Sequence, residues 1–208
     1  MKTKGFLLTL GWTVLTLSTF SQKVSQADLP NEFYAGYGLG SVFYFSGLSN
    51  HYYSDAYPYK ADQYLRSAGT FLLGYTRHLN RVVSVGSQFA YFPATTDLTY
   101  NDYSEGTGTN DVIHRTAHDN VLMALTRITF SYVSKSFFRI YSGFAIGVTV
   151  DLGNVTYNGT TENKRKLLPA GQLTMFGVRF GRSLGGFLEM GIGTLGIVTA
   201  GISYKIKD

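Results

Sequence analysis

From residue 32 to the end of the chain, apolar and small or polar positions alternate with a period of two. That period belongs to β-strands, whose successive side chains point to opposite faces. Eight such segments are predicted, at about 32–45, 67–78, 82–92, 120–132, 138–150, 167–181, 187–193 and 197–206. In the first, Phe33, Ala35, Tyr37, Leu39, Phe43 and Phe45 share one face, and Gly36, Gly38 and Gly40 share the other. In the fifth, Phe138, Ile140, Phe144, Ile146 and Val148 oppose Arg139, Tyr141, Gly143 and Gly147. The first half of the sixth segment alternates poorly.

One face is large and apolar throughout; the other is glycine, serine, threonine and a few charges. A soluble sandwich would carry Lys and Glu on its wet face, and glycine has little reason to be there. The inverted arrangement fits better, with the apolar face against lipid and the small polar face lining a narrow closed barrel. The expected fold is all-β: a closed, antiparallel, eight-stranded transmembrane β-barrel in meander order.

The connections agree. Residues 46–66, 93–119 and 151–166 are predicted as long polar loops. They alternate with short turns near 79–81, 133–137 and 182–186, which is the pattern of long external loops and tight periplasmic turns. The connection near 194–196 is the exception, short where a long one is expected. An even strand number puts both termini on the periplasmic side. Centring the turns on Asn80, Lys135 and Leu184 pairs Phe71 with Phe89, Arg139 with Ser131, and Arg179 with Glu189.

Composition sharpens this picture. Charged residues are only 15 % of the chain, against about 25 % in typical soluble domains, and aromatic residues are also 15 %. Lys2 and Lys4 precede the apolar run 5–20, and Ser25-Gln26-Ala27 offers small residues at a cleavage site. Residues 1–27 read as a cleaved signal peptide and 28–208 as the barrel domain. Loss of Lys2, Lys4 and Lys23, with no acid, takes the net charge from +5 to +2. Nothing then favours nucleic acid as a partner. The chain has no Cys, so no disulfide supports it and no lipidated cysteine anchors it.

Within the apolar C-terminal stretch FLEMGIGTLGIVTAGISYKI lies a literal G-x-G-x-x-G at Gly191, Gly193 and Gly196. A dinucleotide fingerprint needs a helix after it, whereas a strand follows here, so no cofactor is expected. His114 and His118 have the spacing of a helical metal pair, but Arg115 stands where a metalloprotease has Glu, and no metal site is expected. No motif sets a nucleophile beside a histidine, so no catalytic residue is assigned.

The charges expected to face inward are Arg127, Arg139, Arg179, Glu189 and Lys205. Side chains nearly fill an eight-stranded barrel, so these charges must pair, and a structural ion network is expected. Tyr52, Tyr53, Tyr57, Tyr59 and Tyr64 crowd the first long loop. Tyrosine combines large contact area with a polar tip, suiting either recognition or an aromatic collar.

The eight-segment pattern resembles the small outer-membrane barrels of bacteria, the OmpA/OmpX-like architecture, over about residues 32–206. The final hairpin GFLEMGIGTLGIVTAGISYKI looks like the end of the outer membrane protein β-barrel domain proteins of Bacteroidetes-type bacteria, a group that includes PorT-like proteins. One departure is the ending Tyr204-Lys205-Ile206-Lys207-Asp208, where such barrels commonly finish on an aromatic residue. The resemblance implies integral outer-membrane localisation, with outer-membrane lipid and the barrel-assembly machinery as partners. The expected function is non-enzymatic, structural or surface-interacting through the long loops, with an extracellular ligand as partner. Alternatives are small-solute transport, an accessory role beside secretion-system proteins, and, lower, a lipid-modifying enzyme.

Overall fold

The computed structural model describes residues 31–42, 62–103, 110–157 and 160–206. The signal segment 1–27 and the tyrosines at 52, 53, 57 and 59 lie outside them. Nine strand segments run in order: β1 (Asn31–Leu39), β2 (Asp62–Ser67), β3 (Thr70–His78), β4 (Val83–Tyr103), β5 (Asn110–Ser134), β6 (Phe138–Tyr157), β7 (Thr160–Gly181), β8 (Leu184–Gly193) and β9 (Val198–Ile206). Each neighbour pairing is antiparallel, and β1 pairs with both β3 and β9. The sheet therefore closes. Both β2 and β3 pair with β4, so they form one stave interrupted at Ala68-Gly69. The result is an eight-stranded meander barrel, as the periodicity predicts.

The faces also fall as predicted. Leu73 and Ile146 are each 64 % exposed and Leu188 45 %, whereas Thr70, Thr149 and Glu189 are buried. Among the described residues, the outward belt of Phe33, Phe71, Phe89, Leu122, Phe144, Leu173 and Ile202 is 41–64 % exposed. A closed barrel with an apolar exterior suits a bilayer, because all strand hydrogen bonds are satisfied inside the wall. Strands β1, β3 and β9 have nine residues each and β8 ten, the length needed to cross a bilayer when tilted. The belt ends at Tyr91, Leu122, Val150 and Leu167, above which the outward positions turn polar at Thr95, Asn120, His118 and Arg165.

The structure corrects four expectations. First, 93–119 and 151–166 are not loops. β4 and β5 stay paired up to Tyr103 and Asn110, and β6 and β7 up to Tyr157 and Thr160. Their polar composition marks strand positions above the apolar belt, where the outward face is no longer apolar. Second, β1 ends at Leu39, followed by Gly40 at φ 72°.

Third, the hairpin registers differ. Phe71 faces Tyr91, Arg139 faces Ser134, and Arg179 faces Phe187, while Glu189 faces Gly177. The first and third hairpins turn about Arg81 and Ser183, one residue from the assumed centres, which moves each partner by two while preserving its face. The poor alternation in β7 has a related cause. A bulge between Thr174 and Phe176 leaves Met175 and Phe176 both outward. Inward positions are even-numbered before it and odd-numbered after it.

Fourth, the interior is not uniformly polar. Leu72, Phe92, Val121, Met123, Leu125 and Leu195 form a buried apolar cluster in the upper half of the barrel. In the run VLMAL both faces are apolar, so periodicity carries no contrast there. The short 194–197 connection caps this cluster. Its Leu195 is 2 % exposed, Ser41 Oγ donates to the Thr194 carbonyl at 2.7 Å, and Gln172 accepts from Leu195 N at 3.0 Å while donating to the Gly196 carbonyl at 2.9 Å. Gly193 and Gly196 turn at φ 151° and 134°, a conformation that favours glycine at these two positions.

Candidate functional site: the interior charge cluster

The sequence-predicted charges do meet inside the lower barrel, though not in the predicted pairs. They form two layers. In the layer nearer the chain ends, Glu32 of β1 is fully buried. Its Oε2 accepts from His78 Nε2 at 3.2 Å and Arg139 Nη2 at 3.4 Å, and its Oε1 pairs with Arg179 Nη1. Lys205 stands directly across the β1–β9 ladder from Glu32. Arg139 Nη1 lies 3.0 Å from both His78 ring nitrogens, and His78 Nδ1 is 2.6 Å from Ser84 Oγ.

In the next layer, Glu189 of β8 accepts from Tyr141 OH at 2.6 Å and from Arg127 Nη2. The Arg127 guanidinium lies 5.8 Å from the Tyr34 ring centroid and 5.6 Å from that of Tyr141. Arg139 sits 5.0 Å from the same Tyr141 ring, so one aromatic ring separates two guanidiniums. Tyr34 meets Phe187 edge-on at 5.7 Å. Gly177, opposite both Tyr141 and Glu189 in the ladders, makes room: a Cβ there would overlap the Tyr141 ring.

The predicted Arg179–Glu189 pair is thus replaced by Arg179–Glu32 and Arg127–Glu189. The register places Arg179 beside Phe187, and across the barrel its guanidinium reaches a different acid. Sequence reading missed Glu32, His78 and Tyr34. The signal was present: Gly36 and Gly38 were assigned inward on β1, and the same parity sends Glu32 and Tyr34 inward, as Thr76 does His78.

The space left among these side chains is about 10 Å³, room for a single water-sized occupant. With the apolar cluster above it, the described interior is filled at two successive levels.

The histidine pair does not converge. His114 and His118 lie on β5, not on a helix, so their backbones are about 13 Å apart at strand rise. His118 is exposed, with Nδ1 3.1 Å from Thr95 Oγ1. Tyr64 is on β2, opposite Asp97; its side chain lies outside the described set. Above the belt, Asp119 and Asp151 are buried on the inward face, where among the described residues no hydrogen-bond donor meets either Asp119 carboxylate oxygen. Burial raises the Asp119 carboxyl to about 6, with the neighbouring Asp151 charge adding to the rise and His118 opposing it.

No protein-family model matches the chain, and no curated protein matches it. Among solved structures, it is similar to Ail, the attachment invasion locus protein of Yersinia pestis. Ail crystallised with the heparin analogue sucrose octasulfate aligns at a TM-score of 0.45 and 13 % identity, over 86 % of this chain and 99 % of that one. Ail without the analogue aligns at a TM-score of 0.45 and 12 % identity over the same shares.

Proposed function

We propose that this chain is an integral outer-membrane barrel, without catalytic activity, that works through its external surface. The supporting observation is the filled interior. Ion-paired side chains close the lower half and a buried apolar cluster the upper half, leaving about 10 Å³ in the charged layer. A wall that conducts nothing leaves its projecting parts as the working surface. Those parts are large. β4 continues twelve residues beyond Tyr91, about 40 Å of strand, with β5 paired along it. Among the described residues, β7 has no partner on its second side over Thr160–Ala170, because β8 ends opposite Gln172. Arg165, Lys166 and Pro169 on that edge discourage promiscuous pairing.

On this reading the projecting hairpins face outward toward an extracellular ligand, and the short turns, with the described chain ends at Asn31 and Ile206, face the periplasm. Outer-membrane lipid and the assembly machinery are its constitutive partners, and residues 1–27 are the export signal. The inward charges Arg127, Arg139, Arg179, Glu189 and Lys205 are structural. The glycine-rich last hairpin supports membership of the Bacteroidetes-type, PorT-like group, and with it a secretion-accessory role as the second reading.

Planar-bilayer recording tests the proposal. The purified protein should give no stepwise conductance, and neither should Arg127→Ala. Discrete channels in the unmodified protein would replace this function with solute transport.

A further inference from the structure

The three short turns share one pattern, a cation beside an apolar side chain. The β3–β4 turn carries Arg81 with Leu79, the β5–β6 turn Lys135 with Phe137, and the β7–β8 turn Arg182 with Leu184. All six side chains are exposed, the three apolar ones by 47–68 %. Arg77 adds a fourth exposed cation at the end of β3, opposite Asn31. Among the described residues no exposed carboxylate stands at this end of the barrel. Glu32 is buried inside and engaged by Arg139 and Arg179. The opposite end carries both signs, with Arg66, Glu162 and Arg165 exposed.

Backbone bonds tie each turn to the next stave. Ser131 N donates to the Val82 carbonyl at 2.6 Å, Gly181 N to the Phe137 carbonyl at 2.8 Å, and Lys205 N to the Ser183 carbonyl at 2.7 Å. The turns therefore stand around the circumference, two staves apart, and their cations form a ring. Exposed tyrosines join that ring to the apolar belt: Tyr132 precedes Lys135 on β5, and Tyr204 faces Leu184 across the β8–β9 ladder. Apolar residues, then tyrosines, then cations follow the order of surroundings met on leaving a hydrocarbon core through its headgroups. A protein partner would meet one side of such a ring, whereas a planar leaflet meets all of it.

We propose that the turn-bearing end of the barrel is a collar for anionic phospholipid, whose negative headgroups it draws into the ring of lipid around the wall. The collar rests on the membrane-barrel reading above and adds which lipid the wall prefers, and at which end.

The test reconstitutes the full chain in phosphatidylcholine vesicles with a trace of spin-labelled phosphatidylglycerol or spin-labelled phosphatidylcholine. The motionally restricted part of each spectrum reports lipid held at the wall. One Lys or Arg near a charged membrane surface is worth about fivefold in association, so phosphatidylglycerol should be favoured by up to about fivefold. The preference should collapse in about 1 M salt, where exposed charges are screened. Arg81→Gln/Lys135→Gln/Arg182→Gln should remove most of it. No preference in the unmodified protein, or one that the triple variant keeps, would overturn the collar and leave an acidic protein as the partner of the ring. Should the variant fail to fold, a preference in the unmodified protein that survives high salt overturns it equally. A chain that restricts neither label has not entered the bilayer, which would refute the barrel reading itself.

Discussion

Glu32 and Glu189 divide three guanidiniums between them. Glu189 is held by Arg127 and by Tyr141 at 2.6 Å. Removing its charge leaves Arg127 buried without a counter-charge, which typically costs about 3–5 kcal/mol. Glu189→Gln should therefore lower the unfolding midpoint. Replacing both partners with apolar residues removes the uncompensated charge, so Arg127→Met/Glu189→Leu should recover most of the loss. Arg179→Met/Glu189→Leu should not, because Arg179 pairs with Glu32. Equal recovery in the two double variants, measured by thermal melting in micelles, would contradict the pairing described here. The cluster's members were largely legible in the sequence, because inward parity marks every one of them. Their partners were not, because contacts across the lumen join strands far apart in the chain: Glu32 and Arg139 are 107 residues apart.

At the scale of elements, the turn after β8 behaves as a lid and not as a loop. Leu195 packs into the upper apolar cluster, and Gln172 accepts from the Leu195 amide while donating to the Gly196 carbonyl. Leu195→Ala should destabilise by about 2–5 kcal/mol, as cavity-forming core substitutions do, while a surface-loop leucine would cost almost nothing. The extended β5 strand offers a second check. The Asp119 carboxyl, raised to about 6 chiefly by burial, holds its proton more tightly folded than unfolded. Its contribution to stability is full below about pH 4 and is lost as pH rises through about 6. Asp119→Asn should flatten the pH dependence of the midpoint across that window and raise it at pH 7. An unchanged pH profile in Asp119→Asn would show that this carboxyl is not the titrating group. Such extensions escape sequence reading because alternation of apolar and polar residues signals a strand only where the two faces meet different media. Above the apolar belt the outward face turns polar as well, and the pattern fades while the ladder continues.

For the whole molecule, closure and filling decide behaviour. The β1–β9 and β4–β5 pairings leave no free edge within the belt, so the barrel should resist unfolding in detergent. Unheated protein should migrate faster on a denaturing gel than boiled protein. Identical migration, or solubility without detergent, would argue against a lipid-facing barrel. Trimming β4 and β5 between Thr99 and His114 should leave that heat-modifiable shift intact, because the cut begins eight residues beyond Tyr91, where the belt ends.

The sequence by itself determined the strand period, the count of eight staves, the sorting of side chains into outward and inward sets, and the inward address of Arg127, Arg139, Arg179 and Glu189. These follow from local geometry, since every residue in a strand reports its own face. Only the tertiary structure decided which acid meets which guanidinium, where Leu195 seals the lumen, and how far the hairpins rise above the belt. Those depend on register and on distances across the barrel. A one-residue shift in a turn centre, or a single bulge such as that at Met175-Phe176, rewrites them while leaving the period of two almost undisturbed.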